Sequence, residues 1–161
     1  MLLPATTHVP VAGYAVLRTL GILSSVGLGS CVALMLHDPR TQVGAMAHIL
    51  LPHEAMSRDR NRPAKFASTA TAFLLDEMRR FGAVGEPTAR IVGGASMFGA
   101  LLSKGINMGE RNVMAVRQSL REAGVAIVAD DVGGDFGRSV YFDVSTGAVR
   151  VTSMRHGERT L

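Results

Sequence analysis

The sequence predicts one α/β or α+β domain spanning residues 1–161, built on a mixed β-sheet. Three observations carry that expectation. Apolar residues make up 47% of the 161 and charged residues 19%, enough apolar side chain for a packed core and too much for a disordered chain. Hydrophobic spacing takes the helical period in only two long stretches, while the other apolar runs are strand-length. Those two helices do not alternate strictly with strands, which favours a mixed sheet over a doubly wound one.

Residues 1–10 read as a loose tail. Val11 to Thr19 carries Val, Tyr, Val and Leu and reads as a strand. A Gly/Ser-rich passage, Gly21 to Ser30, separates it from the apolar run Cys31 to Leu36, which stops at the turn signal His37-Asp38-Pro39-Arg40. A second apolar run, Gly44 to Leu51, stops at Pro52. Two such runs around a turn predict a β-hairpin of buried strands. Pro52 to Pro63 is polar and basic and reads as an exposed loop.

From Ala64 to Phe81 the residues Phe66, Ala70, Phe73, Leu74, Met78 and Phe81 fall on one helical stripe, with Gly82 as the stop. Ala89 to Val92 is a short strand that runs into Gly93-Gly94-Ala95-Ser96-Met97-Phe98-Gly99. A second helix starts near Asn107, which has capping-box spacing with Glu110. Val113, Val116, Leu120 and Ala123 form its buried face and Gly124 closes it. Strands at Val125–Ala129, Val140–Val144 and Val149–Thr152 follow, the last two joined by the turn Ser145-Thr146-Gly147. The total is two long helices and six or seven strands.

Several function classes are disfavoured by composition. One cysteine forms no internal disulfide, so a disulfide-framed scaffold is excluded. No apolar run reaches the ~18 residues of a membrane span, so no membrane insertion is expected. The start, Met1 to His8, lacks a basic region and breaks at Pro4, unlike a signal peptide. A cytoplasmic protein is the expectation. The net charge of +4 raises nucleic acid as a ligand. Yet the only concentrated basic stretch is Arg58-Asp59-Arg60-Asn61-Arg62, aromatics are 5% and Trp is absent, which leaves little to stack on bases. No nucleic acid is expected. A solvated basic loop, or one that meets an acidic protein surface, accounts for the charge equally well.

Cys31 and its surroundings are the most informative stretch. As a lone free cysteine it reads first as a small buried hydrophobe. Gly27-Leu28-Gly29-Ser30 precedes it, however, and consecutive amides of Gly29, Ser30 and Cys31 are suited to hold an oxyanion. A tight hairpin turn near residues 38–41 sets His48 opposite Cys31 on the same face, with Cβ atoms ~4.5–5.5 Å apart. A longer turn changes the pairing, and a one-residue slip puts the two on opposite faces. An imidazolium beside the thiol would lower its pKa and enrich the thiolate. Without Cys31 opposite, His48 between Ala47 and Ile49 reads as a satisfied core histidine. The ring also needs an orienting partner, for which Ser24, Ser25, Ser30 and Asp38 are candidates. His8, His37, His53 and His156 show no ligand spacing, so neither a metal nor an organic cofactor is expected.

Gly27-Leu28-Gly29-Ser30-Cys31-Val32-Ala33, Asp38-Pro39, Gly44-Ala45-Met46-Ala47-His48 and Leu51-Pro52 resemble the CheD family of chemoreceptor glutamine deamidases. The likeness continues through Gly93 to Phe98, Gly109-Glu110-Arg111-Asn112, Asp131 to Arg138 and Tyr141-Phe142-Asp143. It covers about residues 12–152, in the family's order. The resemblance implies layered mixed β-sheets with helices packed on one side, similar to the catalytic domain of deamidating toxins. It implies a hydrolase that converts Gln side chains of methyl-accepting chemoreceptors to Glu with release of ammonia. Cys31 falls at the family's nucleophile and His48 at its general base. Ser25 stands where the family has Thr, keeping the hydroxyl and losing the methyl, and Ala45 replaces the second Gly of the family's Gly-Gly-Met. Some members bind a CheC-type phosphatase, which makes a non-catalytic regulator of chemotaxis the alternative function.

Overall fold

The computed structural model describes residues 3–97 and 107–161. Among them it forms ten strands and two α-helices. In chain order these are β1 (Thr6–His8), β2 (Tyr14–Arg18), β3 (Ile22–Leu28), β4 (Val32–Asp38), β5 (Val43–Ile49), α1 (Ala67–Arg80), β6 (Thr88–Gly93), α2 (Met108–Ala123), β7 (Ile127–Val132), β8 (Arg138–Asp143), β9 (Val149–Ser153) and β10 (Gly157–Thr160). They build two five-stranded sheets, ordered β1-β3-β8-β9-β10 and β2-β5-β4-β6-β7. Both are mixed: β1 runs parallel to β3 and β6 to β7, and the remaining pairs are antiparallel.

The layering follows from β4 and β5. Every residue of both strands is buried, because both faces of their sheet are covered, so they read as continuous apolar runs rather than alternations. Leu34, Leu36, Ala45 and Ala47 pack against the helices, meeting Ala67, Ala70, Leu74 and Met78 of α1 and Val116 and Leu120 of α2. Ala33, Met35 and Met46 face the other way, onto Leu23, Leu28, Val140, Phe142 and Val151 of the first sheet. The order is helices, sheet, sheet, an α+β arrangement with both helices on one side. Ala45 turns its methyl into the helix-facing core.

Some boundaries differ from expectation for identifiable reasons. The tail over residues 1–10 contains β1, which adds to the edge of β3, and Val9 is fully buried. The Gly/Ser passage contains β3, whose Ser24 and Ser25 are buried between two neighbouring strands. Ladder partners on both sides there override low intrinsic strand propensity. α1 begins at Ala67 because Pro63–Lys65 forms a 3₁₀ turn and Phe66 is extended. Phe81 lies past the helix end and is exposed, as is Ala123 at the end of α2. The strand expected at 125–129 is Ile127–Val132 instead, and the polar edge strand β10 carries no hydrophobic signal at all. Asn107 caps α2, its Oδ1 accepting from Glu110 N at 2.9 Å, and Gly124 closes it in the left-handed conformation. Phe98 and Gly99 lie outside the described residues. The basic stretch 58–62 is exposed.

Candidate active site at the open end of a hairpin

The β4–β5 hairpin sets the site. Its strands pair from Asp38↔Val43 to Val32↔Ile49, leaving residues 39–42 as the turn. Ala33, not Cys31, therefore faces His48, because the turn takes more residues than a tight one. The shift is two residues, which preserves the face. Cys31, one residue before β4, takes the position diagonal to His48, a placement with separations of about 7–8 Å in a regular ladder and somewhat less between Cβ atoms, within reach of aromatic and long side chains. Cys31 packs, half-buried, against the core between the two sheets, and His48 lies at the same end of that face.

The backbone around Cys31 is tied down through its carbonyls. Ala95 N donates to Gly29 O at 2.8 Å and Gly94 N to Cys31 O at 2.8 Å, while Asn112 Nδ2 donates to Ser30 O at 2.9 Å. Among the described residues, the amides of Gly29, Ser30 and Cys31 donate to no protein acceptor. All three residues are partly exposed. Consecutive amides without an internal partner, at the edge of solvent, form an anion-binding concavity.

His48 is held at three atoms by the chain's N-terminal segment. Its backbone N donates to Gly13 O (3.0 Å), its O accepts from Ala12 N (2.9 Å), and its Nδ1 lies 3.3 Å from Val9 O. A carbonyl only accepts, so Nδ1 carries the proton and Nε2 keeps its lone pair. Val9 O also accepts from Ser25 Oγ at 2.8 Å, and Ser25 Oγ further lies 3.5 Å from Met46 Sδ. Ser25 thus meets His48 through a shared carbonyl rather than directly.

The other candidates for orienting the ring are engaged elsewhere. Asp38 sits at the opposite end of the hairpin and accepts from Arg40 N, Thr41 Oγ1, Val84 N and Gly85 N. Burial alone would raise its carboxyl, but those four bonds outweigh it and hold the pKa below the usual value. Ser24 lies buried in β3, where its carbonyl accepts from Val9 N. Ser30 contributes its carbonyl to Asn112. His37 bonds Val144 O, His53 caps a 3₁₀ turn, and His8 and His156 are exposed.

Electrostatics reverse one expectation. Burial pushes the Cys31 thiol above its ordinary value. Burial also pulls the His48 imidazole down, with nearby His8 adding to the effect and the Val9 carbonyl opposing it. Desolvation disfavours both charged forms, so the resting pair is a neutral thiol and a neutral imidazole, not a thiolate–imidazolium pair.

Two contributors went unread in the sequence. Val9 acts through its carbonyl, which any residue supplies, so no side-chain signal exists. Asn112 had a signal. It lies on the 112–116–120 row of α2 with Val116 and Leu120, a polar residue on an apolar stripe, and it is fully buried.

Fold and site define an α+β two-sheet protein that sets one thiol, one imidazole and a run of amides unpaired among the described residues at the open end of a buried hairpin. The family described as CheD chemotactic sensory transduction matches residues 50–153. The chemoreceptor glutamine deamidase CheD of Thermotoga maritima is 43% identical over 150 residues, covering 92% of each chain. A probable chemoreceptor glutamine deamidase CheD of Pyrococcus horikoshii is 41% identical over 151 residues, 93% of each. One from Desulfitobacterium hafniense is 40% identical over 160 residues, 96% of this chain and 99% of that one. These alignments leave about a dozen residues or fewer of this chain outside, too few to omit Ser25, Cys31 or His48. The chain belongs to the CheD family.

Proposed function

We propose that this protein is a chemoreceptor glutamine deamidase, hydrolysing Gln side chains of methyl-accepting chemotaxis proteins to Glu with release of ammonia. The reading is supported by Cys31 and His48 falling on one inter-sheet face two register positions apart, by His48 with Nε2 unprotonated, and by three amides that find no acceptor among the described residues. The family's curated relatives bear the corresponding name.

The mechanism begins from the neutral pair. As Cys31 Sγ bonds to the Gln carboxamide carbon, the thiol proton passes to His48 Nε2 and the carbonyl electron pair moves to oxygen. The amides of Gly29, Ser30 and Cys31 hold that oxyanion in a partly dry setting, where fixed donors act strongly. The oxyanion collapses, His48 returns its proton to the leaving nitrogen, and ammonia departs to leave a thioester. Water then attacks that carbon, giving its proton to His48, and the thiol leaves with the proton restored. Transient charge on the imidazole is stabilised by Val9 O, and Ser25 fixes where that carbonyl points. The reaction needs no further group. Chemoreceptors are the proposed protein substrate and the cytoplasm the proposed place of action, with a CheC-type phosphatase as a second partner. Among the described residues, no helix is long and apolar enough to cross a membrane.

The test is mass spectrometry of receptor fragments after incubation. Wild type raises the mass by about 1 Da per reactive Gln, as replacement of NH2 by OH requires, and Cys31→Ala does not. A Cys31→Ala protein that deamidates at the wild-type rate, or a wild type that deamidates nothing, overturns the reading.

A further inference from the structure

We propose that Asn112 is a positioning residue for the oxyanion site, acting through the Ser30–Cys31 peptide; this rests on the reading of Cys31 as nucleophile. Its Nδ2 donates to Ser30 O at 2.9 Å and to Leu50 O at 3.1 Å. A trans peptide is planar with its C=O and N–H antiparallel. Anchoring Ser30 O toward α2 therefore turns the Cys31 N–H the other way, toward the space that the carboxamide oxygen occupies. The same amide group reaches Leu50, two residues beyond His48, so one side chain ties the segment before the nucleophile to the end of the strand that carries the base.

Two features separate this arrangement from ordinary core packing. Asn112 is fully buried, yet among the described residues its Oδ1 has no hydrogen-bond partner, an arrangement that costs stability. An apolar residue would fill the row with Val116 and Leu120 without that cost. A short amide is retained where two N–H donors are needed at short reach, because no other side chain of that length supplies them. The approach of α2 is itself specialised: a Cβ at Gly109 would run into the carbonyls of Gly94 and Ala95, the two residues whose amides hold Cys31 O and Gly29 O. The loop is thus held at three successive carbonyls, the outer two by the amides of Ala95 and Gly94, against which α2 packs, and the central one by Asn112 of α2 itself.

The experiment compares Asn112→Asp, which keeps the shape and removes the donors, with wild type and with Val116→Ala, a cavity on the same helical row. Three quantities are read: kcat and KM for deamidation of a receptor fragment, the alkylation rate of Cys31 by iodoacetamide, and the melting temperature. Alkylation forms no oxyanion and reports the thiol alone. The expected result is a fall in kcat of about 10²-fold, the lower range for loss of one oxyanion donor. KM should stay within about threefold and alkylation within about twofold of wild type. Val116→Ala should lower the melting temperature while leaving kcat nearly unchanged. If Asn112→Asp does not fold, Asn112→Ser, which also lacks the paired donors, takes its place. The proposal is overturned if the folded variant keeps wild-type kcat, if alkylation falls in step with kcat, or if Val116→Ala loses kcat equally. A wild type that releases no ammonia overturns the functional reading itself, a result distinct from an active Asn112 variant.

Discussion

The two ends of the β4–β5 hairpin are built on opposite principles. At the closed end, Asp38 collects four hydrogen bonds from the turn and from the segment after α1. At the open end the carbonyls of Gly29, Ser30 and Cys31 are satisfied and their amides find no acceptor among the described residues, and burial holds a thiol and an imidazole neutral beside them. One end spends its polar groups on holding the hairpin together. The other leaves donors open, at a cost to stability, where a reacting group can use them. On the proposed reading the two ends of the hairpin divide between stability and chemistry, and substitutions at each end should have opposite signatures.

The largest contrast is between Asp38→Ala and Cys31→Ala. Removing Asp38 strips four donors of a charged acceptor and should cost about 2–4 kcal/mol of stability, while kcat measured well below the melting temperature stays within a few fold. Cys31→Ala should abolish deamidation and change stability by less than about 1 kcal/mol, since a half-buried thiol loses little packing. Chemical denaturation beside an ammonia-release assay checks both. An Asp38→Ala protein that is as stable as wild type but inactive would erase the division between the two ends.

A smaller and more specific contrast is in pH response. Because burial raises the Cys31 pKa and lowers that of His48, the thiol should react with iodoacetamide at pH 7 more slowly than a free-thiol peptide. The rise in rate should move above the ordinary thiol value of 9.0. His48→Ala should barely alter labelling at pH 7, the ring being uncharged at rest. The same shifts set a stability window. As pH falls below 6.5, the ordinary imidazole value, the unfolded state takes up a proton that the folded His48 resists, so stability falls. As pH rises above 9.0 the unfolded thiol ionises while folded Cys31 stays protonated, so stability falls again. Rapid labelling with a midpoint below the ordinary thiol value would show a resting ion pair and contradict the neutral pair.

The same contrast explains what was legible in the sequence. Strands β4 and β5 stand out because burial on both faces leaves an unbroken apolar run, and the Asp-Pro signal marks the closed end. Parity within that hairpin is enough to bring Cys31 and His48 to one face, although the pairing is two residues from the one a tight turn gives. Strand β3 is hidden because Ser24, Ser25 and Gly27 have low strand propensity, and the strand is held by its neighbours β1 and β8 instead. β10 is hidden because a polar edge carries no pattern. The fastening of His48 is the least legible part, because it depends on the backbone of residues 9–13, where side-chain identity says nothing about which carbonyl meets which ring.

The smallest effect expected is at Ser25, and it tests that fastening. Ser25 Oγ and His48 Nδ1 share the Val9 carbonyl, so the hydroxyl acts on the ring at one remove. Ser25→Ala leaves the imidazole bond in place and removes only the second donor, which should lower kcat by about 10-fold, near the value of one ordinary hydrogen bond. That is far less than loss of Cys31. Ser25→Thr installs the residue that the resemblance implies at this position and retains the donor, with a χ1 more restricted than serine's. It should keep wild-type kcat or raise it slightly, provided the added methyl fits beside Met46, which Ser25 already touches. A dead Ser25→Thr enzyme, with melting unchanged, would mean that the hydroxyl does not act through Val9. A Ser25→Ala enzyme as impaired as Cys31→Ala would move serine into direct contact with the reacting groups and away from the supporting position that the shared carbonyl gives it.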